Sequence, residues 1–158
     1  MAAPSATARQ TPTGIQLDDG HPSFLTLSRQ PAIKIWEKAI QPPGVDNGSP
    51  KDLTSFFNVR IRRKSPRKLI EYTDGSYTGF YDPAVKSVID GEVGIEQTIT
   101  IEYADGSTEA AYGYIQKAEY SEMKEGEAPD VKLTLVFTGW DPANDAEALN
   151  VITSVPGT

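Results

Sequence analysis

Residues 97–138 read QTITIEYADGSTEAAYGYIQKAEYSEMKEGEAPDVKLTLVFT, and this stretch decides the fold. Apolar and polar side chains alternate in 97–103 and again in 131–137, a pattern typical of strands with one buried face. The run 108–119 between them is extended and rich in aromatic residues. An Asp-Gly pair between the first two runs is a strong signal for a β-hairpin, and the charged segment 122–129 separates the second run from the third. The stretch therefore predicts a three-stranded antiparallel meander.

The alternation gives this meander an apolar face and a polar face. We expect the apolar face to form the core of the domain, with Ile99, Ile101, Tyr103, Leu133 and Leu135 pointing inward. The opposite face carries Thr98, Thr100, Glu102, Lys132 and Thr134.

Composition limits the class of protein. A chain of 158 residues suits one domain with a sizeable core. Its 38% hydrophobic content is low for a compact globule, which favours exposed arms or subunit interfaces. The absence of cysteine excludes disulfides and thiolate metal sites, and it is compatible with a reducing cytoplasm.

Charge is unevenly distributed along the chain. Residues 1–100 hold 12 Lys/Arg and 11 Asp/Glu, for a net charge of +1, whereas residues 101–158 hold 3 and 11, for a net charge of −8. Such asymmetry would let opposite parts of neighbouring subunits attract each other. The net charge of −7 argues against a dedicated DNA-binding protein, which would normally carry a basic excess.

The N-terminus predicts a flexible arm over residues 1–14, because this segment is small, polar and contains proline. It has no apolar core of the kind found in signal peptides, and no apolar run approaches the ~18 residues of a membrane span. No membrane partner is therefore expected. The remaining residues, 15–158, are expected to form a single domain.

Shorter patterns predict further strands and loops. Residues 24–27 predict a short strand, and residues 32–40 predict a strand bounded by prolines. The segment 41–53, rich in proline and glycine, predicts a loop of a length that is usually functional or mobile. Residues 69–81 are extended, either as one strand with a bulge at Gly75 or as a hairpin.

One helix is predicted at about 82–91. Asp82 suits the N-cap, Pro83 suits the first helical position and Gly91 can end the helix. A second, shorter helix is expected to begin at Asp141.

A basic cluster begins on a predicted strand at 55–63 and continues past a Ser-Pro turn. It consists of Arg60, Arg62, Arg63, Lys64, Arg67 and Lys68. The cluster is a subunit contact that meets the acidic segment 119–130, a nucleic-acid patch next to aromatic residues, or a solvated face. The acidic second half of the chain favours a subunit contact over DNA binding.

Residues typical of catalysis or of cofactor binding are sparse. The sole histidine, His21, lies in a predicted loop, and no Gly-x-Ser-x-Gly motif accompanies it. No calcium-loop spacing, phosphate-binding loop or dinucleotide fingerprint is present. We therefore expect no enzyme activity, no metal and no cofactor.

Three stretches resemble the major tail tube protein of long-tailed, non-contractile bacteriophages. The first joins Phe24-Leu25-Thr26-Leu27 to Ile35-Trp36-Glu37-Lys38 and Pro42-Pro43-Gly44, and the second is Tyr81-Asp82-Pro83-Ala84, which opens the helix. The third runs through 99–114, with Tyr112-Gly113-Tyr114, to Glu125-Gly126-Glu127 and Trp140-Asp141-Pro142. The likeness spans roughly residues 14–145, and it depends on the order and spacing of the motifs.

This resemblance implies a small antiparallel β-sandwich or barrel with a short flanking α-helix. It also implies hexameric rings, assembled in the cytoplasm of a host bacterium, that stack into the tail tube of a virion. The tape-measure protein fills the lumen before genome DNA passes through it, and a tail terminator ends the tube. The candidate lumen face is then Thr98, Thr100, Glu102, Lys132 and Thr134, and the candidate subunit contacts are the basic cluster with Pro42, Pro43 and Asp46.

Two other classes fit the same residues. A tail terminator or head–tail joining protein would form a single ring that does not stack. A monomeric β-sandwich module would instead bind sugar through exposed Trp36 and Trp140.

Overall fold

A computed structural model describes residues 23–31, 37–104 and 106–153 and is mainly β. Seven of its strands form one antiparallel sheet that curls into a half-barrel. No helix in these ranges is long and apolar enough to cross a membrane. In chain order the elements are β1 (Phe24–Leu27), β2 (Glu37–Gln41), β3 (Val45–Asp46), β4 (Lys51–Asp52), β5 (Lys64–Ser65), β6 (Glu71–Tyr72), β7 (Gly75–Phe80), α1 (Pro83–Glu92), β8 (Gln97–Glu102), β9 (Thr108–Tyr120), β10 (Asp130–Phe137), β11 (Trp140–Asp141), β12 (Ala146–Glu147) and β13 (Val151–Thr153).

The predicted meander is confirmed as β8, β9 and β10, at the centre of the large sheet. The order of the strands is β1-β8-β9-β10-β7-β2. Strand β9 is long enough to pair with β8 along one edge and with both β10 and β13 along the other. The tight turn between β8 and β9 closes through a hydrogen bond from Tyr103 N to Ser107 O at 2.8 Å, with Gly106 at φ 85°.

The core lies on one face of this sheet, where the alternation places it. Ile99, Ile101, Leu133 and Leu135 are at most 1% exposed, as predicted. Tyr103 follows the last residue of β8 and is only half-buried, and its hydroxyl donates a hydrogen bond to the Glu109 carboxylate.

Helix α1 begins as the sequence predicts and ends later. Asp82 is the N-cap, and its carboxylate accepts a hydrogen bond from Ala84 N at 2.9 Å. The prediction of a helix at about 82–91 is confirmed, and the helix ends at Glu92, one residue past Gly91. The Glu92 carboxylate is buried at that end, where it accepts a hydrogen bond from Gln97 Nε2 at 3.2 Å.

The prediction of a second helix that begins at Asp141 is wrong. Trp140 pairs with Glu147, and residues between them form a turn. The Asp141 carboxylate accepts hydrogen bonds from Ala143 N at 2.9 Å and from Asn144 Nδ2 at 2.6 Å. An Asp side chain that binds backbone N–H groups stabilises a turn by the same bonds that would cap a helix.

The predicted strand at 55–63 does not form within the chain. Residues 42–74 instead make a long two-stranded projection, which we call the arm, between β2 and β7. Strands β3 and β6 pair at its base, strands β4 and β5 pair farther out, and 53–63 form its tip. The stretch 69–81 is neither a single strand nor a hairpin, because β6 pairs with β3 and β7 belongs to the large sheet. Between them, Thr73 Oγ1 accepts a hydrogen bond from Gly44 N at 2.7 Å.

Candidate assembly surfaces

The five predicted polar-face residues do share one face of the large sheet, opposite the core. Thr98, Thr100 and Glu102 lie on β8, and Lys132 and Thr134 lie on β10. They form two groups, because β9 runs between the two strands.

Neighbouring strands complete this polar face with residues that the sequence pattern did not assign to it. Cross-strand pairing places Thr26 beside Thr100, Ser76 beside Thr134 and Thr78 beside Lys132. Strand β9 contributes Thr108, Ala110, Tyr112, Tyr114, Lys117 and Glu119. Hydroxyl groups therefore dominate the face, and charges are few.

The charges on the polar face nearly balance. Lys117 Nζ lies 2.7 Å from Glu119 Oε1, and Lys132 is the cross-strand partner of Glu119. The hydrogen bond and charge of Lys117, with a further contribution from Lys132, lower the pKa of Glu119. The two lysines thus have an acidic side chain beside them, and Glu102 lies toward the other end of the face.

The arm is held together by bonds between its own two strands. Asn47 Nδ2 donates to Arg67 O at 2.8 Å and to Leu69 O at 2.9 Å, while Asn47 Oδ1 accepts from Arg67 N at 3.0 Å. Arg67 Nε donates to Ser49 O at 2.7 Å. Asp46 accepts from Gly48 N at 2.8 Å. Arg67 and Asp46, both predicted as subunit contacts, therefore also stabilise the arm itself.

The tip of the arm is exposed and is not covered by the rest of the described residues. Phe57 is 96% exposed, Val59 is 91% exposed and Ile61 is 79% exposed. Arg60, Arg62 and Arg63 are exposed on the same tip, next to Lys64 of β5. The basic cluster thus lies next to an apolar tip. The prediction of a strand at 55–63 did not indicate this combination, because it placed the apolar side chains in the core.

The remaining predicted contacts lie along the stem of the arm. Lys68 is exposed on the returning strand. Pro42 and Pro43 lie at the base, where β2 ends, and Pro43 is half-buried.

The acidic segment 119–130 lies at the opposite end of the sheet from the arm. The register between β10 and β7 shows this directly. Asp130 pairs with Phe80, the last residue of β7, whereas the arm joins the sheet at Gly75, the first residue of β7. Asp130 lies 3.1 Å from Lys38 Nζ, and the turn that precedes it exposes Glu122, Glu125 and Glu127. One end of the domain is therefore acidic, and the other carries a basic projection.

A small hydrogen-bonded junction fixes the base of the arm. Asn150 N donates to Tyr72 Oη at 3.0 Å, and Asn150 Nδ2 donates to Glu109 at 3.2 Å. Tyr103 Oη donates to the other oxygen of Glu109 at 2.7 Å. A Cβ atom at Gly139 would come within 3.2 Å of the Tyr72 ring, so the ring packs directly on the backbone there.

Within the described ranges, no three His, Cys, Asp or Glu side chains form a group that could hold a metal ion. His21 and Trp36 lie outside the described residues. Trp140 is partly exposed, but a sugar platform that pairs it with Trp36 remains an untested hypothesis.

Comparison with solved structures addresses the fold. A chain of the SPP1 tail tube, from a siphophage, superposes with a TM-score of 0.53 at 12% identity, covering 86% of this chain and 77% of that one. This chain has a tail tube fold. A chain from the virion of a native gene transfer agent particle matches with a TM-score of 0.60 at 13% identity, covering 86% of this chain and 98% of that one.

A third match is a chain of the anti-feeding prophage baseplate, solved with 6-fold symmetry. It has a TM-score of 0.58 at 8% identity and covers 83% of this chain and 90% of that one. No protein-family model and no curated protein matches the sequence. The resemblance to tail tube proteins is therefore confirmed at the level of the fold, and similarity of shape carries it where sequence identity is low.

Proposed function

We propose that this chain is a structural virion protein, the subunit of a phage-like tail tube. The observation that supports the proposal most directly is the tail tube fold, which extends over 86% of the chain in the comparison with SPP1. In this proposal the subunits form hexameric rings, and the rings stack into a tube through which genome DNA passes. The tape-measure protein and a tail terminator are the expected partners, and the role is structural rather than catalytic.

The polar face of the large sheet is suited to line the lumen. Each phosphate that a Lys or Arg neutralises adds affinity by counterion release, and stacked rings would repeat every such contact. On this face the cations Lys117 and Lys132 lie beside Glu119, and most other side chains are hydroxyls. A lumen with this lining would let DNA slide without binding it.

The two ends of the domain are suited to stack head to tail. The basic arm leaves one end, and the acidic segment 119–130 occupies the other. When one subunit stands on the next, the exposed Lys64 and Lys68 of the stem pass the acidic turn of the second copy. Unlike charges at opposite ends favour this polarity over head-to-head contact.

Electron microscopy of the purified protein tests the proposal. Stacked rings of uniform diameter are the expected result. Separate rings that never stack would indicate a terminator or a head–tail joining protein. A dispersed monomer at every concentration would contradict a tube subunit.

A further inference from the structure

The tip of the arm has the sequence of a strand but pairs with no strand in the part of the chain that the structure describes. Phe57, Val59 and Ile61 alternate with Asn58, Arg60 and Arg62, which is the pattern of a half-buried strand. Aromatic and β-branched residues also favour strands. Yet all of these side chains are exposed, and the segment forms only turns and bends. The pattern therefore fits a partner outside the chain.

A free sheet edge is the partner that an alternating segment requires, since edge strands present unpaired N–H and C=O groups. Two edges of the large sheet are protected. Lys38 lies at a bulge of edge strand β2. At the edge strand β1, Leu25 N already donates to the Glu37 carboxylate. A lysine at a bulge and a side chain bonded across an edge both oppose strand addition.

The third edge strand, β13, shows no such protection among the described residues. It pairs with β9 on one side and carries no charged residue. Val151 is 61% exposed and Ile152 is 68% exposed. Asp145 and Glu147, in the turn and strand that precede β13, are exposed acids that match Arg60 and Arg62 of the tip.

The tip cannot reach the β13 of its own chain. Asn150, which adjoins β13, is bonded to Tyr72 at the base of the arm. The tip lies farther out, beyond the paired strands β4 and β5, and the 11 residues from Gln41 to Asp52 span at most about 35 Å at about 3.3 Å each. Only a second copy can bring a β13 edge to it. Strand β9, which runs the height of the sheet, is about 40 Å long, so an arm that lies along a stacked neighbour reaches the end where that neighbour's β13 lies.

We propose that residues 55–63 become a strand on assembly, by pairing with the β13 edge of a second copy of this chain. Phe57, Val59 and Ile61 then share a sheet face with Ile152 of that copy, and Arg60 and Arg62 lie on the other face, beside Val151. This inference rests on the proposed function, because it names the surface that joins the subunits of the tube.

Cysteine cross-linking tests this pairing, since the chain has no cysteine of its own. Ile152→Cys is combined in turn with a cysteine at position 57, 58, 59, 60 or 61, and assemblies are oxidised and run on a non-reducing gel. Directly opposed residues of paired strands have Cβ atoms about 5 Å apart, which is near the reach of a disulfide. We expect ladders of covalent oligomers from positions on the Phe57, Val59 and Ile61 side. Asn58→Cys and Arg60→Cys should yield at least tenfold less.

Controls separate this inference from the proposed function. Each single variant measures cross-links between two identical positions, and Met123→Cys with Val59→Cys places the second cysteine at the acidic end instead of β13. Equal cross-linking at all five positions, or preferred cross-linking to Met123→Cys, overturns the β13 pairing. Electron microscopy of the same samples shows whether tubes are present: tubes without the alternating ladder contradict only this inference, whereas no tubes contradict the proposed function as well. As a second measurement, amide exchange in 55–63 should slow at least tenfold in tubes relative to free subunits.

Discussion

The same substitution, Phe→Ala, is expected to weaken folding at one position of this chain and assembly at another. Phe137 is 4% exposed in the core, and Phe57 is 96% exposed at the tip of the arm. Loss of a buried Phe side chain lowers the free energy of unfolding by about 3–5 kcal/mol. We therefore expect Phe137→Ala to lower the melting temperature of the free subunit by about 10 °C, at roughly 2–4 °C per kcal/mol for a domain of this size.

Phe57→Ala should leave the free subunit unchanged within about 0.5 kcal/mol, because an exposed side chain away from special features contributes little to folding. If the tip is buried on assembly, the variant loses about 1.5–3 kcal/mol per contact. At tenfold per 1.4 kcal/mol, the concentration needed for assembly rises by about 10- to 100-fold. Thermal melting of the subunit and sedimentation across a concentration series measure the two effects separately.

Two results would refute this reasoning. A Phe57→Ala subunit that melts as early as Phe137→Ala would mean that the tip packs within its own chain. An unchanged assembly concentration for Phe57→Ala would mean that the tip remains in solvent after assembly.

The other predictions concern the lumen, the arm, the acid limb of stability and the close packing of the sheet. Glu102→Lys should leave tubes intact, since the side chain lies off the core, but the assembled tubes should retain added DNA in a pull-down, and no retention would place Glu102 outside the lumen. Reversal of Arg60 and Arg62 to Glu should weaken oligomers most at low salt, where charges are least screened. If the variant and the unchanged protein sediment identically at every salt concentration, the basic cluster is a solvated face and not a subunit contact. Although burial opposes the ionised form of Asp141, hydrogen bonds from Asn144 and neighbouring groups lower its pKa. The stabilising effect of the Asp141 carboxylate is therefore present at neutral pH and is lost as the pH falls through its folded-state pKa. Melting curves of Asp141→Asn should show a weaker loss of stability below pH 4 than those of the unchanged protein. Gly113→Ala should destabilise the subunit by about 3 kcal/mol in urea titrations, because a Cβ there meets a backbone carbonyl of β10. A variant as stable as the unchanged protein would show that β9 and β10 can move apart at no cost.

Local patterns predicted those parts of the fold whose partners lie close in sequence. The meander followed from alternation in 97–103 and 131–137, and the start of α1 followed from Asp82 and Pro83. In each case the residues that decide the structure are within a few positions of one another. Asp141 shows the limit of this reasoning, because its carboxylate binds nearby N–H groups in a turn as readily as at a helix start.

Long-range pairing was beyond the sequence. Asn47 braces Arg67 across 20 residues, and no local pattern indicates that bond. The predicted polar-face residues do lie on one face, but their neighbours Thr26 and Ser76 depend on the order of strands in the sheet. Alternation in 55–63 predicted a strand of the chain's own sheet, but this strand does not form. Such a pattern shows that one face of a strand is apolar and does not show which molecule covers it.

The hydrogen-bonded junction at Tyr72 fixes the direction in which the arm leaves the sheet. The bonds at the base join Tyr72, Asn150 and Glu109, whereas the tip lies up to about 35 Å away. A small rotation of the arm at Tyr72 and Asn150 therefore moves Phe57 farther than it moves the base. In the proposed tube, the position of the tip on its neighbour would depend on this base, so the bonds from Tyr103 and Asn150 to the two oxygens of Glu109 would limit how closely successive subunits repeat the same spacing along a filament.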